Sequence, residues 1–304
     1  MQFFKSPNIN FIGKRNIAFI ISGIMFVVTI ASVVVHRGLN ASIDFVGGTV
    51  LQLKFEKPVT EDIGSIRSII AELNFGTPEV KTIGAAGTEI QIIVKKQAEG
   101  TLVGDAVKEA LRKKFSENPF ELRREEKVGP KIGKELQGKG SLAVLLSLVV
   151  IVIYIGIRFH LPFGIAAIVA LFHDVVITIG VFSVLDAEFS LPIIAALLTI
   201  IGYSLNDTIV VFDRIRENLG GLSAKKSFNE KVNTSINQCL SRTILTSLTT
   251  LVVVVTLFVY FFNSGDVLKY FSGALLTGII VGTYSSIYIA SPVLILWNQK
   301  WTIK

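Results

Sequence analysis

The stretch Ser141–Leu185, SLAVLLSLVVIVIYIGIRFHLPFGIAAIVALFHDVVITIGVFSVL, decides the fold class. It holds two apolar runs, Ser141–Ile157 and Leu161–Leu185, parted only by Arg158-Phe159-His160. A helix rises 1.5 Å per residue, so about 20 apolar residues cross a hydrocarbon core of about 30 Å. The second run is long enough alone, and the first becomes so by recruiting Gly138–Gly140 at its outer end. Three residues between them predict a tight helical hairpin inside a membrane.

Four more runs of the same kind flank this pair: Ile17–Val35, Leu191–Phe212, Ile244–Phe262 and Tyr270–Trp297. Of the 304 residues 51% are hydrophobic and 17% charged, against about 25% charged in an ordinary soluble chain. The predicted fold class is a multi-span α-helical membrane protein of six transmembrane helices, with one soluble insert between the first two. The expected division is 1–36 for the N-terminus and first span, 37–140 for an extracytoplasmic domain, and 141–304 for the remaining bundle. Lys14 and Arg15 before Ile17–Val35 resemble a signal-peptide start, but the run is long and Val34-Val35-His36-Arg37 is a poor cleavage site. We read it as an uncleaved span.

The net charge of +7 does not point to nucleic acid. Of the 30 Lys and Arg, 17 fall in Arg37–Lys139 beside 15 acids, and the rest gather at the ends of the apolar runs. With a cytoplasmic N-terminus, the inner side holds Lys5, Lys14, Arg15, Arg158, Arg214, Arg216, Lys225, Lys226, Lys231, Arg242, Lys300 and Lys304. The outer short loops hold Lys269 with Asp186, Glu188 and Asp266. Basic residues favour the cytoplasmic side, so both termini are expected there. Cys239 is the one cysteine, so no disulfide within the chain supports the external insert.

The insert carries its own period changes. Thr49–Phe55 alternates as a strand does; Thr60–Asn74 opens on a candidate N-cap, Thr60, and spaces Ile63, Ile66, Ile69, Ile70 and Leu73 as a helix. Glu79–Ile83 and Thr88–Val94 read as strands around the turn Gly84–Gly87, Leu102–Phe115 as a second helix and Phe120–Val128 as a last strand. The order βαββαβ is that of a ferredoxin-like α+β domain; the alternative is a mere spacer.

Ionisable groups inside the spans are the candidate functional residues, because a charge at the bilayer centre costs at least ~2.5–3.5 kcal/mol. Asp207 lies about 7 Å inside the inner edge of the fourth span, with Thr199, Tyr203 and Asn206 at helical spacing beside it. Arg242 enters the fifth span on a face continued by Thr246, Thr249 and Thr256; at a depth close to that of Asp207 it can pair with it. Asp174 and His173 lie near the middle of the third span. The plainer alternatives are a cap or helix glue for Asp207, an interfacial anchor for Arg242, and packing through Thr178 for Asp174. In the sixth span, Ala274, Gly278, Gly282, Ser286 and Ala290 recur every four positions, a stripe that admits another helix closely. No phosphate loop, metal-ligand pair or nucleophile elbow is present in the sequence. The expectation is therefore no enzyme, no cofactor and no metal, with any work driven by ions; one charge crossing 100 mV releases about 2.3 kcal/mol.

Several segments are familiar as they stand. Ser42-Ile43-Asp44-Phe45-Val46-Gly47-Gly48-Thr49, at the outer edge of the first span, resembles the IDFxGG signature of the SecD/SecF family of protein-export membrane proteins. Ser204–Asn218 (SLNDTIVVFDRIREN) resembles the family's fourth-span signature, and Phe172-His173-Asp174 and Ser241-Arg242-Thr243 also match. Ser42 stands where the family often has glycine. The resemblance extends over essentially the whole chain, and it implies a SecF-type subunit of the bacterial cytoplasmic (inner) membrane. Such a subunit pairs with SecD in a twelve-span assembly of the resistance-nodulation-division type. It works beside the SecYEG translocon, in some members with YajC and YidC, on translocating preproteins, among membrane lipids and without nucleic acid. By the matching motifs, Asp207 and Arg242 belong to a proton-transfer group that promotes late steps of translocation on the proton motive force, with a further acid supplied by SecD. The rival readings are a half-transporter exporting small amphiphiles or lipids, and a passive translocon scaffold.

Overall fold

The computed structural model describes residues 7–95, 102–221, 226–263 and 267–300, with side chains as far as Asn298. Lys5, Lys225, Asp266, Lys304 and the Lys300 side chain, counted in the charge asymmetry, lie outside the described residues. Six helices among those described are long and apolar enough to cross a membrane. They are α1 (Arg15–Val35, preceded by a 3-10 turn), α5 (Pro130–Arg158), α6 (Leu161–Val184), α7 (Leu191–Gly221), α8 (Phe228–Phe261) and the last. That last span is α9 (Val267–Ser285), which passes through a π turn, Ser286–Ala290, into α10 (Ser291–Lys300).

Three helices outrun their apolar segments. α5 begins at Pro130, well before Ser141; α7 continues past Phe212; α8 begins at Phe228, well before Ile244. Hydropathy marks only the part of a helix that meets lipid, whereas its ends are set by capping. Pro130 sits in the first turn, where its missing N–H costs nothing. Ser227 and Glu230 close a capping box on α8, with Glu230 N to Ser227 Oγ 3.3 Å and Ser227 N to Glu230 Oε2 2.7 Å.

Between α1 and α5 come α2 (Ile43–Val46), β1 (Gly48–Phe55), α3 (Ile63–Glu72), β2 (Glu79–Ile83), β3 (Glu89–Lys95), α4 (Val103–Lys114) and β4 (Phe120–Val128). The four strands form one sheet in the order β2-β3-β1-β4. Every neighbouring pair is antiparallel: Gly48 faces Lys95 on one side and Val128 on the other, and the register with β4 shifts between Gln52 and Leu53. Strand alternation sorts β1 by face. Leu51, Leu53 and Phe55 point to α3 and α4, joining Ile66, Ile70, Ile90, Ile92, Val103, Val107 and Leu111 in one buried core. Val50 points the other way and packs with Ile93, Ile43 and Val128. Each such side chain contributes about 1.5–3 kcal/mol when fully buried.

The helix expected to open on Thr60 has its N-cap two residues later. Its N-cap is Asp62, whose side chain makes no capping bond; Val59 to Asp62 is a turn, with Asp62 N donating to Val59 O at 3.0 Å. Ser42, where the family often has glycine, needs no glycine: its φ is −71° and its hydroxyl caps α2 through Asp44 N at 3.2 Å.

In the bundle, α6, α7 and α9–α10 form the packed centre, while α1, α5 and α8 leave most of their apolar surface uncovered. The small-residue stripe of the sixth span meets α7 of the same chain. A Cβ on Gly278 would strike Ile200, and one on Gly282 would come within 3.0 Å of Ser204.

Candidate functional site

Two buried carboxylates sit in the centre of the bundle, and their surroundings differ. Asp174, on α6, is 1% exposed. Its Oδ2 accepts from Ser204 of α7 at 2.5 Å and from Ser285 of α9 at 2.7 Å, and its Oδ1 lies 3.0 Å from His173 Nδ1. His173 Nε2 is 3.1 Å from Ser22 Oγ of α1, and Ser22 Oγ is 3.1 Å from the hydroxyl of Tyr284. The Tyr284 hydroxyl donates to the carbonyl of Ala18 at 2.8 Å.

The direction of this chain of bonds follows from that carbonyl, which can only accept. Tyr284 spends its hydrogen on Ala18, so Ser22 donates to Tyr284 and must accept from His173 Nε2–H. The contact between His173 Nδ1 and Asp174 then needs one more hydrogen between them. The His173–Asp174 pair thus shares a proton and is neutral overall, the form that costs least among lipid chains. Thr178, the residue thought to pack Asp174, donates to the Asp174 backbone carbonyl at 2.7 Å and leaves the carboxylate alone.

Asp207, on α7 one turn beyond Ser204, is 3% exposed. Its one hydrogen-bond partner among the described residues is Ser247 of α8, whose Oγ is 3.3 Å from Oδ2; Thr283 of α9 donates to Ser247 Oγ at 2.7 Å. Three hydroxyls on α7 and α8 are sealed from solvent with no partner among the described residues: Tyr203, Thr208 and Thr243. A buried carboxylate held by one long bond, on helices that carry unpaired hydroxyls, is an incompletely satisfied site.

The pair expected between Asp207 and Arg242 does not form. Ser247, the residue on α8 that meets Asp207, is five positions past Arg242, so Arg242 lies about 7.5 Å further along the axis and about 140° around the helix. Arg242 is exposed and forms no ion pair among the described residues. It lines an open crevice of about 320 Å³ with Val210, Asp213, Arg214, Glu217, Gln238 and Cys239. The supporting stripe is divided between faces. Asn206 is exposed, on the face of α7 shared with Thr199, while Tyr203 is half-buried. Thr246 is half-buried and returns its hydrogen to the Arg242 carbonyl at 2.9 Å. The neighbours that do hold the two acids, Ser22, Ser204, Ser247, Thr283, Tyr284 and Ser285, escape sequence reasoning because small hydroxyl residues are ordinary in membrane helices. Ser204 was the one with a signal, as it opens the fourth-span motif.

The outer-edge motif is placed where the sheet meets the bundle. Asp44 Oδ2 accepts from the backbone N–H of Leu191, the first residue of α7, at 2.9 Å. Beside it Glu188 lies in the junction; burial pushes its carboxyl above the usual 4.5, against the pull of Lys95 and Lys81. A cavity of about 330 Å³ lined by Asp44, Glu188, Ser190, Tyr270, Gln91 and Arg124 runs along this junction.

Residues 106–300 match the family described as protein export membrane protein SecD/SecF, C-terminal, and residues 33–59 match the SecD/SecF GG motif. Among similar curated proteins are the protein translocase subunits SecF of Calditerrivibrio nitroreducens and Pseudomonas aeruginosa. The first is 45% identical, with 95% of this chain and 94% of that protein aligned; the second is 42% identical, with 97% and 93% aligned. The crystal structure of SecDF, a translocon-associated membrane protein, from Thermus thermophilus is similar at a TM-score of 0.82 and 39% identity. The alignment takes in 96% of this chain and 39% of that one, so the chain spans about two fifths of the solved protein. SecDF in a super-membrane-facing form gives 0.68 at 38% identity.

Proposed function

The chain belongs to the SecD/SecF family and is an accessory subunit of the Sec protein translocase, and from that premise we propose that it passes protons through Asp207 to drive export. It sits in the bacterial cytoplasmic membrane with both termini and the α7–α8 connection inside. Residues 37–140 form a ferredoxin-like external domain, a reading supported by the sheet order β2-β3-β1-β4, and 141–304 form the rest of the bundle. SecD is its twelve-span partner, and SecYEG, with YajC and YidC in some members, is the assembly it serves.

The observation that carries this reading is the contrast between the two acids. Asp174 is fully bonded inside the chain and shares a proton with His173, so it holds a proton in place. Asp207 has one long bond, and the neighbouring outer faces of α7 and α8 present Asn206 and Arg242 to the surroundings, while Thr249 and Thr256 return their hydrogens to carbonyls of α8. Polar residues facing outward at membrane depth need a polar partner, and an acid contributed by SecD answers that need. Arg242, in its crevice one and a half turns from the level of Asp207, acts as the charge toward which Asp207 turns when it ionises. A scaffold has no use for an acid in this state. The test is export into proteoliposomes with and without an imposed proton gradient, comparing the unaltered chain with Asp207→Asn.

A further inference from the structure

The IDFVGG segment has no task in proton transfer, yet it is the point where three parts of the molecule are fastened together. β1, the strand at the heart of the sheet, leaves directly from Gly48. Gly47 has φ +77° and Gly48 φ +154°. A Cβ on Gly47 would lie 2.9 Å from the backbone of Pro130 at the start of α5, and one on Gly48 would strike the carbonyl of Val94 on β3. A Cβ on Gly133 of α5 would in turn lie 2.8 Å from Phe45 O. Glycine is required here because other backbones occupy the space.

The third attachment is to α7. Asp44 Oδ2 takes the N–H of Leu191 at 2.9 Å. The next residue, Pro192, has no N–H to offer, so this bond caps a helix end that has few donors left and places a negative charge at its positive pole. The chain on either side reinforces it. Ser42 N donates to Phe189 O at 2.9 Å and Phe189 N to Asn40 O at 2.7 Å, making a parallel bridge between Ala41 and Phe189. Asn40 is held in turn by Lys95 of β3, whose Nζ donates to Asn40 Oδ1 at 2.8 Å. The same α7 carries Ser204 and Asp207.

We propose that Asp44 is a positioning residue that clamps the outer end of α7 to the external sheet as a joint that stays closed, so that any displacement of α7 caused by Asp207 is delivered to the sheet. This rests on the proton-transfer reading of Asp207. A closed joint transmits both push and pull, whereas a hinge that opened would dissipate them. Asp44 touches neither proton nor substrate, and its effect is on coupling.

The experiment uses the full chain with its partner in proteoliposomes, reading proton uptake and gradient-stimulated export together. Asp44→Ala is expected to keep proton uptake while export stimulation falls about tenfold, as the loss of one charged hydrogen bond implies. Asp44→Asn, which keeps an acceptor oxygen, falls between. A cysteine pair, Ala41→Cys with Phe189→Cys, is expected to export equally well oxidised and reduced. Loss of export on oxidation, restored by reductant, overturns the closed joint. So does an Asp44→Ala protein that loses uptake and export in equal measure, or neither. Asp207→Asn is the separate control: if it retains full stimulation, the proton reading fails whatever the Asp44 variants do. If it loses stimulation and Asp44→Ala does not, only the joint fails.

Discussion

Ser247, and not Arg242, is the α8 residue that reaches Asp207: its hydroxyl lies 3.3 Å from Oδ2, while Arg242 leaves the helix about 140° away. The carboxylate is therefore held by a neutral donor inside the chain, and the positive charge waits on the outer surface. On the proton-transfer proposal, the proton state of Asp207 would control an encounter between the two groups.

Asp207→Asn keeps size and the bond to Ser247 but cannot take up and release a proton. Insertion and binding to SecD are expected to survive, and stimulation of export by a proton gradient to vanish, with ATP-driven early steps continuing. Arg242→Lys should be milder than Arg242→Ala, because lysine keeps the charge and loses only the planar fork. Full gradient-dependent stimulation in Asp207→Asn would return the chain to a scaffold.

The network around Asp174 predicts a contrast between two substitutions. Asparagine there can accept from Ser204 and Ser285 and donate to His173 Nδ1, so Asp174→Asn should retain close to the full thermal stability. Asp174→Leu strands both serines and the imidazole, at about 1–3 kcal/mol for each buried group left unpaired. Thermal unfolding of the purified protein measures the difference; equal midpoints would mean the bonds are not formed.

The junction beneath the sheet predicts a pH dependence. Burial holds Glu188 above 4.5, so its ionised form is the costly one, and stability returns as pH falls through that raised value. For Glu79, burial acts upward, but the hydrogen bonds and charges of Lys81 and Lys95 outweigh it and hold the group below 4.5. Its contribution is present above 4.5 and lost as pH falls through the lowered value. Unfolding temperature should rise on mild acidification and drop on stronger. Glu188→Gln should remove the rise alone, and a rise that persists in that variant would assign it to another group.

The segment Ser42–Val128 should fold in isolation as a soluble α/β domain, without metal or disulfide. Leu53→Ala within it should cost about 2–5 kcal/mol, the range for emptying a filled core site. Circular dichroism without a cooperative thermal transition would refute the autonomy of the domain.

For topology, single cysteines at Lys114 and Lys226 separate the two sides. A membrane-impermeant reagent applied from outside should label the first and miss the second, and Cys239, buried, should stay silent. The reverse pattern would invert the orientation.

The runs of apolar residues were enough to find every span, because lipid imposes a composition that nothing else in the chain imitates. The strand bounds Glu79–Ile83 and Phe120–Val128 were readable to the residue, since alternation stops where a turn begins. The starts of α5 and α8 were not, because Pro130 and the Ser227–Glu230 box act in water, beyond the reach of hydropathy, whereas the end of α1 at Val35 and the starts of α6 at Leu161 and α7 at Leu191 were. The stripe from Ala274 to Ala290 announced a close neighbour without naming it, and Ile200 and Ser204 supply the name. The Asp207–Arg242 pair failed for a related reason. Depth can be counted from a sequence, but rotation about the helix axis is fixed by which face packs, and Thr243 and Ser247 take the inward face of α8.

The π turn Ser286–Ala290, closed by Ser291 Oγ on Ser286 O at 3.1 Å, holds one residue more than an α-helical path through the same space requires. A relative lacking that residue would keep the same walls on both sides and show only a lone one-position gap halfway through its last membrane segment. Such a gap, ordinarily dismissed as an alignment error, would mark the place where one lineage carries the bulge and another runs straight.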